Sequence, residues 1–378
     1  MKGLHDKSVQ AAAMAAFLGL CGTAWTQPLV SSDTPSARVE VDASAIPGGP
    51  HCTYTNVDRL PVTMEGGLPT VAGELDGKTF SMVVDTGSQF TKLGMQLAEK
   101  MRLNLHHTPF TETDVNGKEM QIYAAHIDHL GLGRYRRRKP VIEVTQIPAS
   151  SGLVVGADTL LNIYRRDIEL SFANREIKFF VPEGCDDSFL GYWNANASAI
   201  PLSDLAGDDP RQILTVLVNG HEMTAMIDSG SPNSILDLNA AKRIGLDPKA
   251  GEIVQVRSDG SVHRQGKQWQ VSLQRFAIGD EIIEHPTIAI ADLWGWTPNF
   301  PELGFDYYSL LQSGSWIPAV QASPASKYEP PDMILGDDFL QAHRVLLAMS
   351  QRKMYFSYVG GRVFAGAVNA SAAIAPQS

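Results

Sequence analysis

Two short stretches of the sequence place an aspartate before a small hydroxyl residue, a glycine and a serine. By this composition an Asp-Thr/Ser-Gly triplet is expected about 0.3 times by chance in a chain of this length, so one copy is a weak signal. Two copies, each predicted to follow an apolar strand and to precede a helix, form a much stronger one. The residues are Asp85, Thr86, Gly87 and Ser88 in the first stretch and Asp228, Ser229, Gly230 and Ser231 in the second.

The two aspartates are suited to acid–base chemistry if folding brings them together. Two carboxyls a few ångströms apart cannot both ionise comfortably, so they share one proton. The ionised carboxylate can activate a water as a general base, and the protonated carboxyl can donate to a leaving group. Hydrolysis of a peptide bond without a metal or a covalent nucleophile needs both functions. Each glycine permits a tight turn, and the Thr86 and Ser229 hydroxyls can bond across to the opposite turn.

The two triplets lie at equivalent positions of an internal duplication. Residues 72–104 align with residues 215–247 without a gap, and residues 154–158 align with residues 334–338. Each half is therefore predicted to contain a strand, the Asp-Thr/Ser-Gly turn, a helix, further strands, a hydrophobic-hydrophobic-Gly step and a final hairpin. An additional hairpin turn is predicted in each half, at Asn116-Gly117 and Asp259-Gly260.

Composition limits the remaining possibilities. The chain has 378 residues, of which 44% are hydrophobic and 19% are charged, so disorder of the whole chain is excluded. A net charge of −10 makes a nucleic-acid partner improbable, because phosphate binding needs a concentrated positive surface. The 33 glycines and 22 prolines favour a β-rich fold over a helical bundle.

The first 25 residues resemble a signal peptide. Lys2 and Lys7 precede an apolar run from Ala11 to Trp25, which is shorter than the approximately 20 residues of a transmembrane helix. The alternatives are a lipoprotein signal at Cys21, an uncleaved anchor or a disordered start. We expect a secreted or periplasmic protein, without stable membrane insertion after signal removal.

Two cysteines remain if the signal is removed, and an exported protein can pair them. Cys52 precedes the first predicted strand and Cys185 follows the first half, so a disulfide is possible, with two free thiols as the alternative. The predicted organisation is a signal peptide at 1–25, an N-terminal lead at 26–60, a first lobe at 61–183, a linker at 184–212, a second lobe at 213–360 with an aromatic insert at 291–332, and a flexible tail at 361–378.

The paired motifs resemble those of the pepsin and retropepsin group of aspartic peptidases, in a tandem single-chain form. The matching motifs are residues 83–88 and 226–231 together with the Gly steps at Val155-Gly156 and Leu335-Gly336, and the resemblance covers about residues 60–183 and 213–360. It implies an all-β fold of two pseudo-twofold-related β-barrel lobes with a peptide-binding cleft between them. It also implies that Asp85 and Asp228 are catalytic and that the other six residues of the two turns support them. The Ser88 and Ser231 side chains are expected to bond the outer carboxylate oxygens.

These observations predict an exported aspartic endopeptidase that acts as a monomer on a peptide or protein substrate and needs no metal or other cofactor. The alternatives are a peptide-binding module without catalysis and a protease confined to its own processing. The histidines at 106, 107, 126 and 129 lack a ligand pattern and are expected to be exposed or hydrogen-bonded. The basic run at 134–139 is expected to form a solvated loop.

Overall fold

The computed structural model describes residues 51–113, 119–147, 152–161, 166–206, 209–247, 254–256, 268–294 and 330–364. The predicted signal peptide, most of the lead and most of the tail lie outside the described residues. So do the turns at Asn116-Gly117 and Asp259-Gly260, and residues 295–329 of the aromatic insert. Among the described residues, no helix has the length and apolar character needed to cross a membrane.

The described part of the first half contains thirteen strands and two short helices. The strands are β1 (Thr53–Pro61), β2 (Thr63–Glu65), β3 (Leu68–Leu75), β4 (Lys78–Val84), β5 (Lys92–Gly94), β6 (Leu105–Thr113), β7 (Glu119–His126), β8 (His129–Leu132), β9 (Tyr135–Arg138), β10 (Val141–Thr145), β11 (Leu153–Val155), β12 (Asp167–Ser171) and β13 (Glu176–Glu183). The helices are α1 (Met95–Met101) and α2 (Ala157–Leu160), and one 3₁₀ turn spans Phe172–Asn174.

The second half repeats this pattern. The strands are β14 (Ser198–Pro201), β15 (Ser203–Ala206), β16 (Asp209–Val218), β17 (His221–Ile227), β18 (Ile235–Asp237), β19 (Val254–Val256), β20 (Gln268–Ser272), β21 (Arg275–Ile278), β22 (Glu281–Glu284), β23 (Thr287–Ala291), β24 (Met333–Leu335), β25 (His343–Ala348) and β26 (Lys353–Tyr358). The helices are α3 (Leu238–Arg243) and α4 (Asp337–Leu340).

Each half contains a ten-stranded sheet, and the strand orders of the two sheets correspond one to one. The first order is β6-β7-β10-β5-β11-β4-β3-β8-β9, with β2 paired to β3. The second order is β19-β20-β23-β18-β24-β17-β16-β21-β22, with β15 paired to β16. The registers also match, since Thr70 faces Val83 in the first sheet and Ile213 faces Met226 in the second. The predicted all-β fold with two related lobes is therefore confirmed.

A third sheet of six strands joins the halves, in the order β1-β13-β12-β25-β26-β14. Its central pair is antiparallel and takes one strand from each half, with Glu169 opposite Leu346. Glu169 is fully buried, and it accepts hydrogen bonds from Lys178 Nζ (3.2 Å), Arg344 Nε (3.1 Å) and the Tyr192 hydroxyl (2.5 Å). These partners compensate a buried carboxylate that would otherwise be costly.

Regular pairing extends into segments outside the predicted lobes. Strand β1 lies mainly in the predicted lead and pairs with β13 along its length. Strands β14 and β15 and the start of β16 lie in the predicted linker and pair with β26 and with each other. The basic run is also strand rather than loop, because β9 pairs with β8 at the edge of the first sheet. The expectation of a loop was wrong there, since alternating partly buried and exposed side chains suit an edge strand.

The hydrophobic core is continuous across the three sheets. Its strands show the alternation of a pleated sheet, as in β16, where every second side chain from Gln212 to Val218 is buried. Completely buried core residues come from equivalent positions in both halves and from the joining sheet: Val84, Leu93, Val155, Leu236, Leu335, Leu170 and Val345.

A disulfide joins Cys52 to Cys185, with an S–S distance of 2.07 Å. It connects the residue before β1 to the residue shortly after β13, next to a cluster of aromatic side chains that includes Tyr54 and Phe180. The pairing that the sequence left open is the one that the structure contains.

Replacing both cysteines should weaken the fold, because the cross-link closes a long segment of the unfolded chain. We expect the Cys52→Ser/Cys185→Ser variant to lose about 2–4 kcal/mol of unfolding free energy in urea under non-reducing conditions. Reductant should lower the unfolding free energy of the wild type to that of the variant, and it should leave the unfolding free energy of the variant unchanged. Equal stabilities without reductant would contradict the cross-link.

Candidate active site

The two Asp-Thr/Ser-Gly turns meet and are joined by crossed hydrogen bonds. The Thr86 hydroxyl donates to the Ile227 carbonyl (2.9 Å) and accepts from the Ser229 N–H (3.0 Å). In the mirror arrangement, the Ser229 hydroxyl donates to the Val84 carbonyl (2.8 Å) and accepts from the Thr86 N–H (3.1 Å). Thr86 and Ser229 are buried, so these four bonds replace water that the turns have lost.

The glycines of the turns let each half approach the carboxyl of the other. A Cβ atom built on Gly87 would lie 2.2 Å from Cγ of Asp228, and one built on Gly230 would lie 2.2 Å from Cγ of Asp85. Any larger residue would collide with the carboxyl at either position. The requirement for glycine therefore comes from close packing, and it is reciprocal between the halves.

Backbone N–H groups orient the two carboxyls. Asp85 Oδ1 accepts from the N–H groups of Gly87 (3.0 Å) and Ser88 (2.8 Å), and Asp228 Oδ1 accepts from Gly230 N–H (2.8 Å). Burial raises the pKa of Asp228, and this is opposed by the Gly230 N–H and by a hydrogen bond with the Asp85 carboxyl. The Asp85 and Asp228 carboxyls therefore lie close enough to influence one another's ionisation.

The Ser88 and Ser231 side chains differ from the sequence-based expectation. The Ser88 hydroxyl donates to the Phe90 carbonyl (2.9 Å), and the Ser231 hydroxyl donates to the Asn233 carbonyl (2.8 Å). A serine hydroxyl has one proton to donate, so neither is left with a proton for a carboxylate oxygen. Both side chains instead close their own turns, and Ser88 reaches Asp85 through its backbone N–H.

The hydrophobic-hydrophobic-Gly steps support the turns from the adjacent parallel strands. Strand β11 pairs with β4, and β24 pairs with β17, so the Asp85 N–H donates to Val155 O (3.1 Å) and the Asp228 N–H to Leu335 O (3.0 Å). A Cβ on Gly156 would lie 2.4 Å from Phe90 O, and one on Gly336 would lie 2.5 Å from Asn233 O. These glycines are needed because the backbone of each turn packs directly against them.

A second pair of aspartates stands behind the turns. Asp158 Oδ1 accepts from the N–H and hydroxyl of Thr91 (both 2.7 Å), and Asp338 Oδ1 accepts from the N–H (2.8 Å) and hydroxyl (2.6 Å) of Ser234. Burial raises the pKa of Asp338 to about 6, although the bonds from Ser234 act in the opposite direction. These aspartates tie the start of α2 and α4 to the loops that follow the turns.

Asp337 is a further acidic residue near the site, and sequence analysis did not single it out. It is fully buried, and neither carboxyl oxygen has a hydrogen-bond partner among the described residues. Burial raises its pKa well above the ordinary range, and the nearby Asp228, Asp338 and Asp85 raise it further. Alignment of the two halves could have identified Asp337, because this acidic residue occupies the position of the apolar Ala157 in the first half.

The described residues contain no group of three or more His, Cys, Asp or Glu side chains arranged to hold a metal. His106 and His126 lie on the neighbouring strands β6 and β7 with ring centroids 5.5 Å apart, and His107 lies 4.7 Å from the Tyr123 ring. These side chains belong to the hairpin whose turn lies outside the described residues.

Removing the Thr86 hydroxyl should destabilise the junction of the halves. Thr86→Val leaves the buried Ile227 carbonyl and Ser229 N–H without their partner, at a cost of about 2–4 kcal/mol of unfolding free energy. Thr86→Ser keeps the hydroxyl and is the matched control, expected within about 1 kcal/mol of the wild type. Urea unfolding of both variants measures the difference, and equal stabilities would show that the crossed bonds carry little energy.

Asp337 should make stability fall as the pH rises. Its pKa is higher in the folded than in the unfolded chain, so the folded state retains a proton that the unfolded state loses above about pH 4. Relative to the wild type, Asp337→Asn should gain up to about 1.4 kcal/mol of unfolding free energy per pH unit from pH 4 towards the folded-state pKa. The exposed Asp280→Asn is the control. A difference between Asp337→Asn and wild type that stays constant with pH would contradict the raised pKa.

A family model described as aspartyl protease matches residues 71–159 and 214–339. No match was found among curated protein sequences. The chain is similar in structure to an aspartic proteinase from Irpex lacteus, with 14% identity over 82% of this chain and 98% of that one and a TM-score of 0.41. It is also similar to basic 7S globulin from soybean, with 14% identity over 80% and 95% and a TM-score of 0.38.

A third similar structure is conglutin gamma, a basic 7S globulin from lupine seeds, with 11% identity over 80% of this chain and 95% of that one and a TM-score of 0.39. The two segments that the family model matches include both Asp-Thr/Ser-Gly turns and both Gly steps, and together they cover more than half of the sequence. The chain therefore belongs to the aspartyl protease family.

Proposed function

We propose that the protein is an exported aspartic endopeptidase in which Asp85 and Asp228 act together on one water. Membership of the aspartyl protease family supports a peptidase in general. The finer assignment rests on one observation, the reciprocal approach of each glycine to the opposite carboxyl, with each Cβ position 2.2 Å from the carboxyl carbon. Two aspartates that belonged to unrelated turns would have no reason to need such contact.

The proposed reaction uses one shared proton. The ionised carboxyl accepts a proton from water as the water oxygen bonds to the scissile carbonyl carbon, and the protonated carboxyl donates to the carbonyl oxygen. The carboxyl that received the water proton then donates it to the amide nitrogen, and the other carboxyl, now ionised, accepts a proton from a hydroxyl of the intermediate as the carbon–nitrogen bond breaks and the amine leaves. The dyad ends with the same number of protons as at the start. Activity is expected in acid solution, because the dyad must keep one proton.

The substrate is proposed to be an extended peptide, bound by strand-like hydrogen bonds over about three to four residues on either side of the cut. The hairpins β6–β7 and β19–β20 are the proposed flaps. Export is supported by the signal-like start of the chain and by the disulfide between Cys52 and Cys185, because disulfides persist in oxidising compartments. A monomer suffices, since one chain supplies both aspartates.

Substitution of either aspartate should abolish cleavage. We expect Asp85→Asn and Asp228→Asn each to lower kcat/KM by at least about a thousandfold, because each removes one partner of the shared proton. The assay is cleavage of an unbiased peptide library by purified mature protein between pH 3 and 7. Asp280→Asn, an exposed aspartate of the second half, is the matched control and should keep full activity.

Three other outcomes have distinct meanings. Cleavage that survives either substitution would exclude the dyad. Peptide binding without cleavage at any pH would favour a binding module on the same fold. A silent library combined with cleavage of the protein's own N-terminal region would indicate a self-processing protease.

A further inference from the structure

Arg211 belongs to the second half but reaches the turn of the first. It lies near the start of β16, and its Nη1 is 3.5 Å from the carbonyl oxygen of Gly87. The Gly87 carbonyl shares its peptide unit with the Ser88 N–H, which donates to Asp85 Oδ1 (2.8 Å), and the Gly87 Cα packs against the Asp228 carboxyl. One guanidinium therefore acts on a peptide that contacts both carboxyls of the dyad.

Asp209 fixes the position of that guanidinium. Its Oδ1 accepts from Arg211 Nε (2.9 Å), and its Oδ2 accepts from Nη2 (2.5 Å), in a two-pronged ion pair. The Arg211 side chain is only 16% exposed, so the pair is largely removed from water. A bidentate, partly buried arginine of this kind is held in one orientation, unlike an exposed one.

The pair breaks the symmetry of the duplication. Strands β3 and β16 have the same register against β4 and β17, so the positions equivalent to 209 and 211 are Gly66 and Leu68. Leu68 packs in a small apolar cluster with Val83 and Val154. The Asp209–Arg211 ion pair therefore occurs in the second half alone, and the equivalent strand β3 forms without such a pair.

The charges around the dyad are mostly acidic. Asp337 adds a third carboxyl beside Asp85 and Asp228, and Asp158 and Asp338 lie behind the turns. Arg137 approaches Asp158 Oδ2 at 3.7 Å from the edge strand β9. The positive charge of Arg211 lowers the pKa of Asp228, in opposition to burial.

We propose that Arg211, anchored by Asp209, is a positioning residue that fixes the Gly87 peptide and keeps the dyad singly ionised in acid solution. The proposal deepens the proposed endopeptidase function and rests on it. Arg211 acts through the Gly87 carbonyl and through its charge. A hydrogen bond to the Gly87 carbonyl polarises the Gly87–Ser88 peptide. The Ser88 N–H then becomes a stronger donor to the Asp85 carboxyl.

The test compares Arg211→Met, Arg211→Lys and the double variant Asp209→Asn/Arg211→Met, which leaves no unpaired carboxylate at 209. Arg352→Met is the matched control, because it removes an arginine of the same half that pairs with Asp204 and not with a residue of the two turns. The primary readout is titration of the dyad carboxyls by carbon-13 NMR of aspartate-labelled protein. This readout does not need activity. The second readout is kcat and KM as a function of pH.

Arg211→Met and the double variant should raise the lower apparent pKa of the dyad by about 0.5–1.5 units, with the acid limb of kcat/KM moving equally. Arg211→Lys should shift it less, because it keeps the charge. In Arg211→Met, kcat at the optimum should fall about three- to tenfold with KM changed less than about twofold.

A lower pKa that stays within about 0.2 units of the wild type in Arg211→Met, as in Arg352→Met, would overturn the proposal. So would a raised KM with unchanged kcat and unchanged titration, because that pattern belongs to a residue that only contacts substrate. If the wild type cleaves no peptide, the proposed function fails while the carboxyl titration still decides whether Arg211 controls the dyad.

Discussion

Two carboxyl groups placed side by side, one of them buried, repel one another unless one of them keeps a proton. The centre of this molecule is organised around that constraint. Asp228 is only 1% exposed, and it contacts both the Asp85 carboxyl and the backbone of Gly87. The crossed hydrogen bonds of Thr86 and Ser229 join the same two turns, and they oppose the repulsion between the two carboxyls.

The surrounding scaffold makes this contact symmetric. Matching parallel strand pairs place a Gly step against each turn, and the shared six-stranded sheet ties the two halves through the central pair β12–β25. Two of the differences between the halves lie near Asp85 and Asp228. Asp337 stands where the first half has Ala157, and Arg211 stands where the first half has Leu68. Two chemically identical aspartates thus receive different surroundings.

Much of the fold could be predicted from the sequence because the two halves carry similar residue types at equivalent positions. Glycines 87, 230, 156 and 336 lie at equivalent positions of the two halves, where backbone or a carboxyl approaches too closely for a Cβ atom, and their spacing identified both turns and both Gly steps. Features that depend on long-range pairing were harder to find. Strand β1 forms only because β13 offers it an edge, and the segment carries no local signal that distinguishes it from a lead.

Side-chain directions were the least predictable part of the site. The Ser88 hydroxyl can reach either a carboxylate or the Phe90 carbonyl, and the local turn geometry decides between them. The reach of Arg211 across the junction depends on the packing of the two halves, which no spacing along one chain reveals.

The most direct measurement is a neutron crystal structure of the mature protein at acid pH, in which hydrogen positions are observed. The shared-proton dyad predicts that the Asp85 and Asp228 carboxyls lie within hydrogen-bonding reach, about 3 Å, of one common water and hold a single hydrogen between them. Two separated carboxyls, each with its own water and its own protonation, would contradict it.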